Sequence, residues 1–136
     1  MTWDLTNYER MDDMGYRSDV HALFYTTTKE EWPVLKLYME ENFPKYETLE
    51  LKYVEGKRLW GYEMVCEHVK WYESYEDVQV FYAFKRKYGA LIDEQEEGKK
   101  WKFEFVRIGE ELEDVEQEQH DSSYVLSVSR CIEADY

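Results

Sequence analysis

Cys66, Glu67 and His68 place a thiol and an imidazole two residues apart, the interval at which side chains of an extended strand return to the same face. Such a pair is half of a zinc site, or the start of a cysteine nucleophile if a base and an oxyanion site lie close by. The sequence completes neither. A structural zinc takes about four ligands, usually from a second close pair, whereas His21, His120 and Cys131 each stand apart from any other ligand pair. The expectation is a core thiol beside a half-buried histidine, with no catalytic residue, metal or cofactor assigned. Two placed carboxylates would suffice for glycosidase-like chemistry, but 31 acidic residues single out no pair. Gly-x-Gly-x-x-Gly, Gly-Lys-Ser/Thr and Gly-x-Ser-x-Gly are all missing, which disfavours the enzyme types that use them.

A second concentration of chemistry lies between Arg107 and Arg130, where there is no Lys or Arg and where Glu110, Glu111, Glu113, Asp114, Glu116, Glu118 and Asp121 follow closely on one another. The run lacks the Asp-x-Asp-x-Asp-Gly spacing of a calcium loop. In an extended strand, side chains on one face repeat at about 6.6 Å. Glu111, Glu113 and Val115 would then share one face and Asp114, Glu116 and Glu118 the other. Carboxylates at that interval imitate the anion row of a nucleic-acid backbone, so a groove that binds phosphates through Lys and Arg would accept them. These seven acids are the candidate partner-binding residues, with Tyr124 as an aromatic anchor. The plainer alternative is an edge strand kept from aggregating by its charge.

The whole chain bounds what such a surface can meet. In 136 residues, 31 acidic side chains against 17 basic ones give a formal net charge of −14, which repels nucleic-acid phosphates and anionic membranes. The candidate partner is therefore a basic protein, with a second copy of the chain as a further candidate. The 13 Tyr, 5 Trp and 6 Phe carry enough apolar area to offset the entropy of folding, so the acids do not mark a disordered tail. The distant Cys66 and Cys131 read as free thiols of a reducing compartment, and no stretch resembles a signal peptide or a membrane span. The expectation is a cytoplasmic protein, in its own or a host cell.

The elements that must position these groups follow from periodicity. Residues 1–19 are polar and read as an irregular arm with Trp3 and Tyr8 as docking points; residues 20–136 read as a single domain. Val20 to Thr26 is apolar on both alternations, which predicts a strand covered on both faces. Thr28 and Glu31 form a capping-box pattern ahead of Val34, Leu35, Tyr38, Met39 and Phe43, predicting a helix stopped by Pro44, with Pro33 setting its start near Glu31 or Trp32. Leu49 to Tyr53 and Tyr62 to Val69 alternate around Glu55-Gly56-Lys57, predicting a hairpin with Cys66 and His68 on one face.

Val78, Phe81, Tyr82, Tyr88, Leu91 and Ile92 predict a second helix starting near Ser74 and Asp77, although Val78 to Phe84 also fits a strand. Lys85-Arg86-Lys87 reads as its solvated end. Trp101 to Ile108 changes phase at Val106, as a bulge would cause, and Tyr124 to Ile132 alternates again. The order predicts an α+β fold: a ferredoxin-like β-α-β-β-α-β sandwich with two extra C-terminal antiparallel strands. Tyr53, Tyr62, Trp71, Trp101 and Phe103 could face outward to stack bases, but with few cations around them they read mainly as core.

In size, acidity, aromatic content and lack of motifs the chain resembles the small anti-defence proteins of phages and mobile elements, including anti-CRISPR and antirestriction DNA mimics. That resemblance implies a non-enzymatic inhibitor of a nuclease or CRISPR effector. The alternatives are an immunity protein against a basic toxin, and a small ligand-binding domain or enzyme with a pocket between sheet and helices. A large concave pocket holding His21 or His68 would favour the last of these.

Overall fold

The computed structural model describes residues 15–95, 100–123, 125–128 and 131–136. Trp3, Tyr8 and Tyr124 lie outside them. The elements are β1 (Ser18–Thr26), a single 3-10 turn (Lys29–Glu31), α1 (Trp32–Asn42), β2 (Lys52–Gly56), β3 (Leu59–Val69), α2 (Glu76–Asp93), β4 (Trp101–Ile108), β5 (Val115–His120), β6 (Leu126–Val128) and β7 (Ile132–Ala134). The fold is α+β. The strands form a five-stranded antiparallel sheet in the order β2-β3-β1-β4-β5, with β6 and β7 in a separate two-stranded sheet. Neither helix is long and apolar enough to cross a membrane.

One face of the sheet carries both helices. Phe24, Phe103 and Phe105 meet Leu35, Met39 and Phe43 from the α1 side and Phe81, Phe84 and Tyr88 from α2. Edge-to-face contacts such as Phe24–Tyr88, at 5.2 Å between centroids, recur through this layer. Pro33 sits in the first turn of α1, where its missing N–H leaves no bond unmade. The expected capping box does not form: Thr28 makes no side-chain cap, and the Glu31 carboxylate accepts from Trp101 Nε1 at 3.2 Å. Val34, expected on the buried stripe, is exposed. Residues 76–93 are helical, so the strand alternative falls, because the Phe81, Phe84 and Tyr88 spacing buries only on a helix.

The other face of the sheet is covered by the β6–β7 hairpin, which explains the second apolar phase of β1 and β4. Leu23, Tyr25, Leu59 and Val106 pack there against Val125 and Leu126. The bulge expected at Val106 is therefore absent: β4 pairs with β1 in unbroken register from Asp19↔Ile108 to Thr26↔Trp101. The bulge sits in β3 instead, where the register passes from Ser18↔Val69 to Val20↔Cys66. There His68 takes φ 52° and its N–H donates to Asp19 Oδ1 at 2.7 Å. Beyond β4 there are three strands and not two, since the stretch expected as one strand from Tyr124 to Ile132 is divided between β6 and β7.

Two strands of three residues each cannot stand alone, and what holds this hairpin down is a carboxylate. Glu104, on the outer face of β4, is fully buried; it accepts from Tyr25 Oη at 2.5 Å, Val125 N at 3.1 Å and Leu126 N at 2.8 Å. Tyr25 Oη in turn accepts from Ser123 N at 2.8 Å. Glu104→Leu keeps the volume but strands three buried donors, so it should cost about 3 kcal/mol or more of unfolding free energy. Hydrogen exchange should show the loss first at Val125–Ala134, ahead of the helices, and a protection pattern unchanged in the hairpin would contradict this anchoring role.

Candidate functional site

The acidic run divides in two. Only Val115–His120 is a strand; residues before it form a turn closed by Asp114 N to Glu111 O at 3.0 Å and Gly109 N to Asp114 O at 2.8 Å. Cations from elsewhere in the chain meet much of the run. Arg107 grips Asp114 with both terminal nitrogens (2.5 and 3.1 Å) and donates from Nε to Glu116 at 2.6 Å. Two carboxylates on one guanidinium raise its pKa, and the Arg107 and Tyr16 bonds hold Asp114 down to about 2. Lys102 pairs with Asp121 at 3.4 Å.

Strand β5 lies at the sheet edge with Glu116, Glu118 and His120 turned toward the helix layer and Val115, Gln117 and Gln119 turned away. Glu116 accepts from Tyr82 Oη at 2.9 Å, and Glu118 pairs with Lys85. Lys85 is not the solvated helix end expected from sequence. It lies mid-helix, 9% exposed, over the rings of Tyr82 and Phe105, each centroid 5.2 Å away. His120 bridges Asp93 (2.8 Å) and Glu118 (2.7 Å) and stacks on Phe103. Gly89 makes room for it: a Cβ there would stand 2.8 Å from His120 Nε2.

Three acids of the loop are exposed. Glu110 accepts the backbone N–H of Arg17 at 3.0 Å, and among the described residues Glu111 and Glu113 make no ion pair. They surround Leu112, which is 96% exposed. The loop that carries them is braced from behind, because Tyr16 Oη donates to Asp114 Oδ2 at 2.6 Å and accepts from Glu111 N at 3.1 Å. Gly109 allows this closeness, since a Cβ would fall 2.1 Å from Asp114 Oδ2.

A concavity of about 810 Å³ lies on the outer face of the sheet, between strands β1–β3 and the segment that carries Cys131 and Ile132. It is not between sheet and helices, as the sequence reading expected a pocket to be. Its walls hold Asp19, His21, Glu63, Val65, His68 and Cys131. His21 is 8% exposed, and its Nε2 lies 2.9 Å from Glu63 Oε2 and 3.1 Å from Tyr136 Oη. Tyr136 Oη also donates to Glu63 Oε2. Burial lowers the His21 pKa more than Glu63 raises it. This group was not legible as a site, because His21, Glu63 and Tyr136 come together only through sheet register and the return of the chain end.

Cys66, in contrast, faces the helix layer, its Sγ donating to Thr48 O at 3.6 Å, and burial pushes its pKa up to about 11. His68 leaves the Cys66 face at the bulge and is exposed. Both cysteines are free, and among the described residues no three His, Cys, Asp or Glu side chains gather as a metal site.

The His120 clip has a definite pH signature. Burial works to lower its pKa, but the bonds to Asp93 and Glu118 outweigh it and the net shift is upward from 6.5. Its stabilisation is fully present below 6.5 and is lost as pH rises through the higher folded value. His21 acts in the opposite sense, so the comparison is with His120→Gln: the stability difference between wild type and variant should shrink as pH is raised above 6.5 in denaturant titrations. A difference that does not vary with pH would mean that His120 is held as a neutral ring. No family model matches this chain, and no similar curated protein or solved structure was found.

Proposed function

We propose that this chain is a non-enzymatic inhibitor that binds a basic surface of a nucleic-acid-handling protein, a nuclease or CRISPR effector, as acidic anti-defence proteins do. The observation that carries this reading is the braced loop that holds Glu110, Glu111 and Glu113 around an exposed Leu112 on a chain of net charge −14. Unneutralised carboxylates at a fixed spacing draw a cationic groove from about 10 Å away in 0.1 M salt. A rigid loop loses little entropy on docking, and a leucine at its centre adds apolar contact where water is excluded. Glu116, Glu118, Asp114 and Asp121 contribute to the long-range field but are partly offset by their own cations. A basic toxin would offer the same complementary chemistry, which makes an immunity role the neighbouring reading.

The scaffold fits this use. We read the first six elements, β-α-β-β-α-β with β2-β3-β1-β4 as neighbours, as a ferredoxin-like sandwich to which β5 adds an edge and β6–β7 a cover. The acidic loop then lies at the junction of β4 with the added strand.

The test is capture from host lysate on immobilised protein at low and high salt, with duplex DNA as competitor. A basic partner retained at about 0.05 M salt and released at about 0.5 M, or by DNA, is the expected result. Glu110→Gln, Glu111→Gln and Glu113→Gln together should weaken capture about tenfold or more while leaving the unfolding midpoint nearly unchanged, since all three side chains are exposed. Asp114→Asn, by contrast, should lower stability by releasing Arg107. If no salt-sensitive partner is retained, the reading falls.

A further inference from the structure

Both ring nitrogens of His120 face carboxylates. Nδ1 lies 2.8 Å from Asp93 Oδ1 at the end of α2, and Nε2 lies 2.7 Å from Glu118 Oε2 on β5 itself. An ionised carboxylate only accepts and a neutral imidazole has one N–H, so the two bonds exist together only while the ring is doubly protonated. Loss of a proton therefore has a mechanical consequence as well as an energetic one. It leaves a nitrogen lone pair facing a carboxylate oxygen, and one of the two bonds must open.

The surroundings decide which one. Among the described residues, α2 presents Asp93 and Lys85 to this cluster, with Gly89 leaving space for the ring, and β5 presents Glu118. Strand β4 presents the Phe103 ring, on which the imidazole stacks, while the neighbouring Lys102 is taken by Asp121. The Glu118 side chain is 32% exposed and is held through its other oxygen by Lys85. Asp93 is 60% exposed and has no other hydrogen-bond partner among the described residues. Water replaces a lost bond more readily at the exposed acid than at the enclosed one. The remaining proton thus stays on Nε2, toward Glu118, and Asp93 turns to solvent. Strand β5 feels this at its end, because none of its side chains is buried. Its ties to α2 are Glu116 to Tyr82, Glu118 to Lys85 and His120 to Asp93. We propose that His120 is a proton-operated latch, which ties the end of β5 to α2 when the ring carries both protons and releases it on the Asp93 side when the ring is neutral.

The ring nitrogen shifts of His120 and the amide exchange of Gln117 to His120 are followed in the full chain from about pH 6 to about pH 9, with exchange corrected for its intrinsic pH dependence. A neutral ring protonated on Nε2 is expected, with exchange that rises about fivefold as the proton leaves, the effect of one hydrogen bond. Asp93→Asn separates the latch from a general loosening of the fold. An amide accepts from the charged ring through its oxygen and donates to the bare Nδ1 of the neutral ring through its nitrogen, so this variant stays closed in both states. Its exchange at Gln117 to His120 should be level through the titration, although His21 and His68 are unchanged in it. A neutral ring protonated on Nδ1, wild-type exchange that is level through the His120 titration, or the same rise in Asp93→Asn would overturn the proposal. None of these outcomes depends on a protein partner.

Discussion

A carboxylate buried on the outer face of the central sheet is the constraint on which much of this molecule depends. Glu104 is surrounded by apolar side chains and by neutral donors, the phenol of Tyr25 and two backbone amides of the C-terminal hairpin. Removing such a group from water is costly unless its lone pairs are met, so the hairpin cannot leave without exposing Glu104 and Glu104 cannot be satisfied without the hairpin. That mutual requirement sets where β6 and β7 lie. It gives Leu23, Leu59 and Val106 their second core, and it places Cys131 and Ile132 against the cleft. A small hairpin with little apolar area of its own thereby becomes part of the fold.

The acidic surplus is distributed by the same logic. Acids that face the helix layer are close to low-dielectric surroundings, and each has acquired a cation or a phenol: Glu116 has Arg107 and Tyr82, and Glu118 has Lys85 and His120. Glu110, Glu111 and Glu113 at the loop tip are exposed. Along the strand that first suggested a regular anion row, Glu116 and Glu118 are thus partly offset by their own cations.

Much of the fold could be read from periodicity, and the limits have physical causes. Strand β1 declared itself by being apolar on both alternations, which is the signature of a strand with a layer on each side. The same signature in β4 was read as a bulge, because nothing local distinguishes a phase change from a doubly covered strand. The cover, β6–β7, showed only as one alternating stretch from Tyr124 to Ile132, because alternation does not mark where a stretch is divided between two paired strands. The acidic run looked uncompensated because charge was counted along the chain. Lys85, 33 residues from Glu118 in sequence, lies against it across the gap between helix and edge strand. The cleft was least legible, since His21, Glu63 and Tyr136 share no motif and meet only when three distant segments are stacked.

Arg107, fixed between Asp114 and Glu116, also divides the acidic run into two kinds of position with different evolutionary freedom. A change at Asp114, Glu116 or Glu118 leaves a half-buried guanidinium or ammonium without its counter-charge, so substitutions there would be accepted mainly alongside changes at Arg107 or Lys85. Glu110, Glu111 and Glu113 carry no such debt to the interior and can drift one at a time. Among relatives of this protein the paired positions would then change together, while the loop tip would vary at the pace set by whatever it touches.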